Sequence, residues 1–217
     1  MRVRTGVVVG VLAGLLTALL IEEAVRTLRI LEAVERDRDR WQRPEQVLAA
    51  LDLHAGQRVV DLGAGAGYFS LKIAPRVQPG GEVLAVDLRR ESLAFLWIRA
   101  QLRRARSVHP IVGAEDDPRL PAGAIDGVLI ANTFHELTEP GAILTRLFAM
   151  MRPGGRLVIV ERGRRAESDA DRGHHQSSAD DVARAVAGVG FRKQLRDDAF
   201  IEPPGDDVWW LLTFVRP

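Results

Sequence analysis

Hydrophobic and polar residues follow three rhythms along this chain. From Gly6 to Ile21 the run GVVVGVLAGLLTALLI carries no charge, and it ends at Glu22 and Glu23. A helix that spans a bilayer draws on about 20 apolar residues, with about 17 near the lower limit. The run therefore predicts a slightly short transmembrane helix behind the basic start MRVRT. Val25, Leu28 and Leu31 then recur at helical spacing among charges, which extends the helix as an amphipathic segment to about Glu35. The charged stretch ERDRDRWQR, Glu35 to Arg43, reads as a solvated linker. Pro44 opens the next helix, PEQVLAAL.

From Arg58 the rhythm changes to short apolar runs alternating with amphipathic ones, the pattern of a parallel sheet covered by helices. Strands are expected at Arg58 to Leu62, Glu82 to Asp87, Val108 to Val112, Ile125 to Ala131 and Arg156 to Glu161. Helices are expected near Tyr68 to Arg76, Ser92 to Arg104, Gly141 to Met151 and Ala179 to Ala187. Two further strands, Lys193 to Phe200 and Val208 to Val215, flank IEPPGDD and predict an antiparallel hairpin. VWWLLTFV is apolar on both faces, as a strand with neighbours on either side would be. The fold class is α/β: a doubly wound, mostly parallel seven-stranded sheet with a C-terminal antiparallel hairpin, preceded by the transmembrane-type helix. Its parts are an anchor and juxtamembrane helix at 1–35, a linker at 36–43 and one domain at 44–217.

Composition narrows the chemistry. With 217 residues, 47% hydrophobic and 27% charged, the chain can bury a substantial core. The absence of cysteine removes disulfides, thiolate nucleophiles and cysteine-ligated metals. A net charge of +1 and only 6% aromatic residues give neither a basic field nor stacking platforms, so nucleic acid is not an expected partner.

The chemistry concentrates at VVDLGAGAGYFS, Val59 to Ser70, where an apolar strand runs through an acid into alternate glycines and a helix. A nucleoside triphosphate is a poor fit, because there is no GxxxxGK[ST] and no lysine in the turn. Asp87, at the end of the second strand, is placed where an acid accepts hydrogen bonds from ribose hydroxyls. The glycines Gly63, Gly65 and Gly67 are spaced GxGxG, whereas a dinucleotide fingerprint is GxGxxG. Asp61, two residues before Gly63, opposes a pyrophosphate and suits a ligand bearing an ammonium group.

DLGAGAGYF, with AVDL at the second strand end, IDGVLIANTFHEL at the fourth, MRPGGRLVIVE into the fifth and the closing VWWLLTFVRP, resembles the class I S-adenosylmethionine-dependent methyltransferases. The resemblance covers about residues 41 to 217. It implies a Rossmann-like sheet with one antiparallel strand near its edge, and S-adenosyl-L-methionine as cofactor. It implies that Gly63, Ala64, Gly65 and Gly67 let the backbone approach the methionine part, with Asp61 supporting that end. Asp87 would hold the ribose and Leu88 would lie against the adenine. The sequence departs from the family after strand three, where Ala114 stands at a position often occupied by aspartate; Glu115 or Asp116 would take that role. Asn132 would line the cofactor pocket.

Methyl transfer from a sulfonium is an in-line displacement, and positioning supplies much of its acceleration. Some acceptors also need a base, and His135, in NTFHEL, is the side chain expected beside the methyl group that can accept a proton near neutral pH. The alternative is that His135 packs or caps the following turn. His174 and His175, with Asp180 or Asp181, lack the rest of a metal ligand set, and no metal is expected. Arg162, Arg164 and Arg165 form either a solvated face or a contact for an anionic substrate. Trp41 and Gln42 either pack or fold over the ligand as a lid. The expected acceptor is a small molecule or a lipid-soluble one. The competing readings are a nucleotide-dependent oxidoreductase and a non-catalytic cofactor-binding module.

The N-terminal run predicts membrane attachment, with the domain on the cytoplasmic face where the cofactor is made; export after signal cleavage is the alternative. Gly6, Gly10 and Gly14 recur every four residues, with Ala18 on the same face. Two such helices could pair there as a homodimer, although glycine is also ordinary in membrane helices.

Overall fold

The computed structural model describes residues 2–121, 123–164, 178–201 and 207–217, without the side chains of 2–11, 13, 164 and 207. The chain divides into two compact units, Met1–Arg40 and Trp41–Pro217.

The first unit is helical. Helix α1 runs unbroken over Arg2–Trp41, so the charged ERDRDR stretch is helix and not irregular linker. Glu, Arg and Asp pairs three apart support that continuation: Arg26 meets Glu23 at 2.7 Å and Arg40 approaches Asp37 at 3.8 Å. The Arg26 hydrogen bond holds the Glu23 carboxyl below its ordinary range. Leu12, Leu15, Leu16, Leu19, Leu20 and Ile21 are all exposed. Among the described residues, however, no helix is long and apolar enough to cross a membrane. The expected transmembrane helix is corrected to that extent. The apolar stretch described by its side chains is short, because Glu22 and Glu23 close it and the side chains of residues 6–11 and 13 are outside the description. Gly6 and Gly10 of the expected dimer seam fall in that part, and nothing stands within 4 Å of a Cβ added at Gly14.

The second unit is a three-layer α/β domain. Its strands are β1 (Arg58–Leu62), β2 (Glu82–Asp87), β3 (Val108–Val112), β4 (Ile125–Ala131), β5 (Met151–Arg164), β6 (Arg192–Ile201) and β7 (Asp207–Val215). Its helices are α2 (Pro44–Leu51), α3 (Ser70–Ile73), α4 (Arg90–Leu102), α5 (Pro140–Met150) and α6 (Ala179–Val189). They form one seven-stranded sheet in the order β3-β2-β1-β4-β5-β7-β6. The first five strands are parallel, and β7 runs antiparallel to both β5 and β6. The sheet has apolar layers on both faces, which is why its central strands read as continuous hydrophobic runs. Alternate residues divide between the layers. Val59, Ala85, Leu129 and Val158 pack with Leu48, Leu51, Leu71 and Leu96 of α2, α3 and α4, whereas Val60, Leu84, Val128 and Ile159 pack with Leu144, Leu147 and Val186 of α5 and α6. Each such buried side chain contributes about 1.5–3 kcal/mol of transfer free energy.

Two helix ends follow local rules. The Ser178 hydroxyl accepts from the Asp181 N–H at 3.2 Å and caps α6, which stops at Gly190 with φ 116°. The chain leaves α1 through Trp41, whose ring packs on Trp209 of β7 with centroids 5.5 Å apart. Gln42 is fully buried behind it. Trp41 and Gln42 are therefore packed residues in this structure.

Candidate functional site

In a parallel sheet of this order, the chain departs in opposite directions from β1 and β4, and the crevice outside their carboxyl ends is where such folds bind ligands. Three turns, those after β1, β2 and β4, meet the carboxyl end of β5 there.

The β1 turn is the glycine run. Gly63, Gly65 and Gly67 have φ of 78°, 53° and 89°, a region costly for residues with a Cβ. The Gly63 and Ala64 N–H groups both donate to the Val86 carbonyl, at 2.8 and 2.9 Å, which ties this turn to the end of β2. A Cβ on Gly63 would lie 2.1 Å from Thr133 Oγ1, so the β1 and β4 turns are in direct contact at this point. A Cβ on Gly65 would meet nothing within 4 Å. From the other side the buried Arg99 of α4 donates to the Ala66 carbonyl.

Two acids flank the turn. Asp61 is buried, and one of its oxygens accepts from the Ser70 hydroxyl at 2.6 Å, joining β1 to the start of α3. Asp87 closes β2 and reaches back: its Oδ2 accepts from the Gly65 N–H at 2.8 Å. Its Oδ1 accepts from the Arg89 backbone N–H at 2.8 Å and from Arg89 Nε at 3.3 Å. Leu88, next in the chain, is 53% exposed although apolar. Of the two acids expected after strand three, Glu115 is exposed, while the Asp116 carbonyl accepts from Arg146 of α5 at 3.0 Å.

The β4 turn carries the remaining polar groups. Asn132 sits at φ 53°, where asparagine is several-fold enriched among non-glycine residues, and its N–H donates to the Val160 carbonyl at 2.7 Å. A 3₁₀ turn over Phe134–Glu136 follows and points His135 at Glu161 of β5. His135 Nδ1 lies 3.0 Å from Glu161 Oε1, and the carboxylate is fully buried. The sequence reading placed Glu161 only as the end of a strand. Its signal was a lone acid closing the apolar run RLVIV, at the strand end where ligands bind.

The other expected residues lie elsewhere. Among the described residues no cluster could hold a metal ion. Asp180 pairs with Arg196 and Asp181 with Arg184. His174, His175 and Arg165 lie outside the described residues, as does the Arg164 side chain. Arg162 is exposed on β5.

Comparison with known proteins follows the same lines. The chain is 34% identical over 122 residues to demethylmenaquinone methyltransferase from Thermus thermophilus, covering 56% of this chain and 54% of that protein. It is 30% identical over 113 residues to the ubiquinone/menaquinone biosynthesis C-methyltransferase of Pasteurella multocida, covering 49% and 40%. The chain thus spans about half the length of these curated relatives. A SAM-dependent methyltransferase from Aquifex aeolicus superposes with a TM-score of 0.70 at 24% identity, over 80% of this chain and 89% of that one, and shares its fold. Residues 53–197 match the family described as the methyltransferase domain, which takes in every strand from β1 to β5 and most of the crevice. The class I methyltransferase fold, the glycine turn and this match make the chain a member of the methyltransferase-domain family.

Proposed function

We propose that the domain transfers a methyl group from S-adenosyl-L-methionine to a small-molecule or lipid-soluble acceptor. The observation that carries this reading is the pairing of Gly65 with Asp87. A buried carboxylate and a left-handed glycine stand side by side at the strand ends, held by a 2.8 Å hydrogen bond. A side chain at Gly65 would fill open space, so its absence leaves room for a ligand against the backbone. These features fit an adenosyl sulfonium. Gly63, Ala64, Gly65 and Gly67 would hold the amino-acid part, with Asp61 beneath them. Asp87 would take the ribose hydroxyls as the exposed Arg89 guanidinium yields its long contact. Leu88 would cover the adenine; Asn132 would line the pocket. Because Asp116 is drawn to Arg146, Glu115 is our choice for the adenine amine.

The bound sulfonium supplies the methyl group; this chain's residues hold the acceptor against it and exclude water. The names of the two curated relatives favour a quinone-like ring as acceptor, consistent with a lipid-soluble substrate. Titration with S-adenosylhomocysteine tests the donor site, and methyl-labelled donor incubated with membrane and soluble extracts identifies the product. Absence of binding would sink the reading.

We also propose that residues 6–21 hold the protein at a membrane with its domain in the cytoplasm. The apolar run supports this, and a C-terminal reporter active only outside the cytosol would reject it. Pairing of two chains through Gly6, Gly10 and Gly14 is proposed on the same footing, tested by cross-linking in membranes.

A further inference from the structure

The hydrogen bonds around Glu161 specify more than a packed strand end. Glu161 is fully buried, and among the described residues two backbone groups donate to it, the Arg162 N–H at 3.0 Å to Oε1 and the His135 N–H at 3.4 Å to Oε2, while His135 Nδ1 lies 3.0 Å from Oε1. That is the environment of a carboxylate used only as an acceptor. An acid buried this completely is expensive to keep where an apolar residue would pack as well.

The bond also decides where the imidazole carries its proton. Nδ1 faces Glu161 at hydrogen-bonding distance, so the proton belongs there. Among the described residues, the charged group near Nε2 is Glu136, at 3.8 Å and on a side chain 58% exposed, beyond hydrogen-bonding distance. The neutral ring therefore presents a bare Nε2 lone pair. The turn that carries the ring also touches the glycine turn. Thr133, two residues before His135, is the residue that meets Gly63 of the glycine turn.

We propose that Glu161 is a positioning residue that fixes His135 as a base, and that the acceptor is a hydroxylated aromatic ring. The inference rests on the methyl-transfer reading above. A thioether, or an amine already in its neutral form, attacks a sulfonium with its own lone pair, whereas a hydroxyl gives up its proton as it attacks. The hydroxyl proton passes to His135 Nε2. The electron pair left behind, shared between oxygen and the conjugated ring, forms the new bond to the methyl carbon. The bond from that carbon to sulfur breaks with its pair remaining on sulfur, turning the sulfonium into a neutral thioether. Glu161 faces the imidazolium formed in this step, which then releases its proton to water. Where the ring carbon is methylated, its own proton is lost to water as aromaticity returns.

The test uses the full chain saturated with S-adenosylhomocysteine. ¹⁵N NMR of the histidine rings, with His135 assigned from His135→Gln, is expected to show the neutral ring's proton on Nδ1 and a bare Nε2. A proton on Nε2 overturns the proposal, since that nitrogen then has no lone pair to offer. Methyl transfer from labelled donor is then followed with 1,4-dihydroxynaphthalene and with an aliphatic amine as probes. Transfer is expected to the hydroxylated ring; transfer to the amine alone overturns the acceptor class. Glu161→Gln and His135→Gln should each lower kcat by about 100-fold, the scale of general-base catalysis, with KM changed less than threefold. The losses should shrink as rising pH ionises the hydroxyl in solution. In the His135→Gln background, Glu161→Gln should cost little more, because it acts through the ring. Losses that multiply, or that are equal at every pH, mean a structural role and overturn the proposal. Failure of S-adenosylhomocysteine to bind sinks the methyltransferase reading instead, and the tautomer measured on the unliganded chain then judges the pair.

Discussion

A methyl group added at Gly63 and one added at Gly65 would meet different fates. Both positions are left-handed, so alanine at either costs about 1–2 kcal/mol of backbone strain. At Gly63 the new carbon also overlaps the β-branched Thr133, adding the about 1–3 kcal/mol typical of overpacking. Gly63→Ala should therefore lower the urea midpoint well beyond the shift in Gly65→Ala. Gly65→Ala should stay folded yet bind S-adenosylhomocysteine weakly, because its methyl occupies the open side of the turn. Asp87→Asn should weaken that binding about ten- to a hundredfold, the loss of hydrogen bonds to a charged group at about 1.5–3 kcal/mol, as titration calorimetry would show. The glycines and Asp87 were legible because their spacing reports backbone geometry. Thr133, Arg99 and Glu161 were not. Arg99 belongs to no motif, although it shares a buried face with Leu93 and Leu96 of α4. What it touches, the Ala66 carbonyl, depends on how α4 packs and not on local pattern.

At the scale of elements, the apolar runs located the strands closely, since a strand between two helical layers has no polar face to blur its ends. β5 was the exception. It extends from Met151 to Arg164, beyond the apolar core of the run, because Met151 pairs with Ile125 of β4 and pairing with β7 continues out to Arg164 and Asp207. Hydrogen bonding sets that length. Trp41 was ambiguous for a related reason: an aromatic beside a charged stretch reads equally as lid or packing until its partner is known. Its partner is Trp209, and aromatic pairs contribute about 0.5–1.5 kcal/mol beyond the area they bury. Trp41→Ala should accordingly lower the denaturation midpoint while changing S-adenosylhomocysteine affinity less than threefold. A lid would give the opposite pair of results.

For the whole molecule, both hydrophobic layers, among the described residues, are drawn from positions after the first forty. A chain beginning at Trp41 should therefore unfold in one cooperative transition, at a midpoint within about a degree or two of the full chain's, as calorimetry would test. The order of the sheet was legible in part at this scale. An antiparallel C-terminal pair could be read from two strand-like runs around a turn, and VWWLLTFV, apolar on both faces, already had the character of the inner strand. Synthesis makes that placement consequential. The ribosome delivers β6 before β7, yet β6 reaches the sheet only through β7. At about 5–20 residues per second, β5 waits roughly 3–10 seconds with a bare edge while residues 165–215 emerge. A message cut short in that interval leaves a protein with its crevice strands complete and an open β5 edge, fit for aggregation or for a protease.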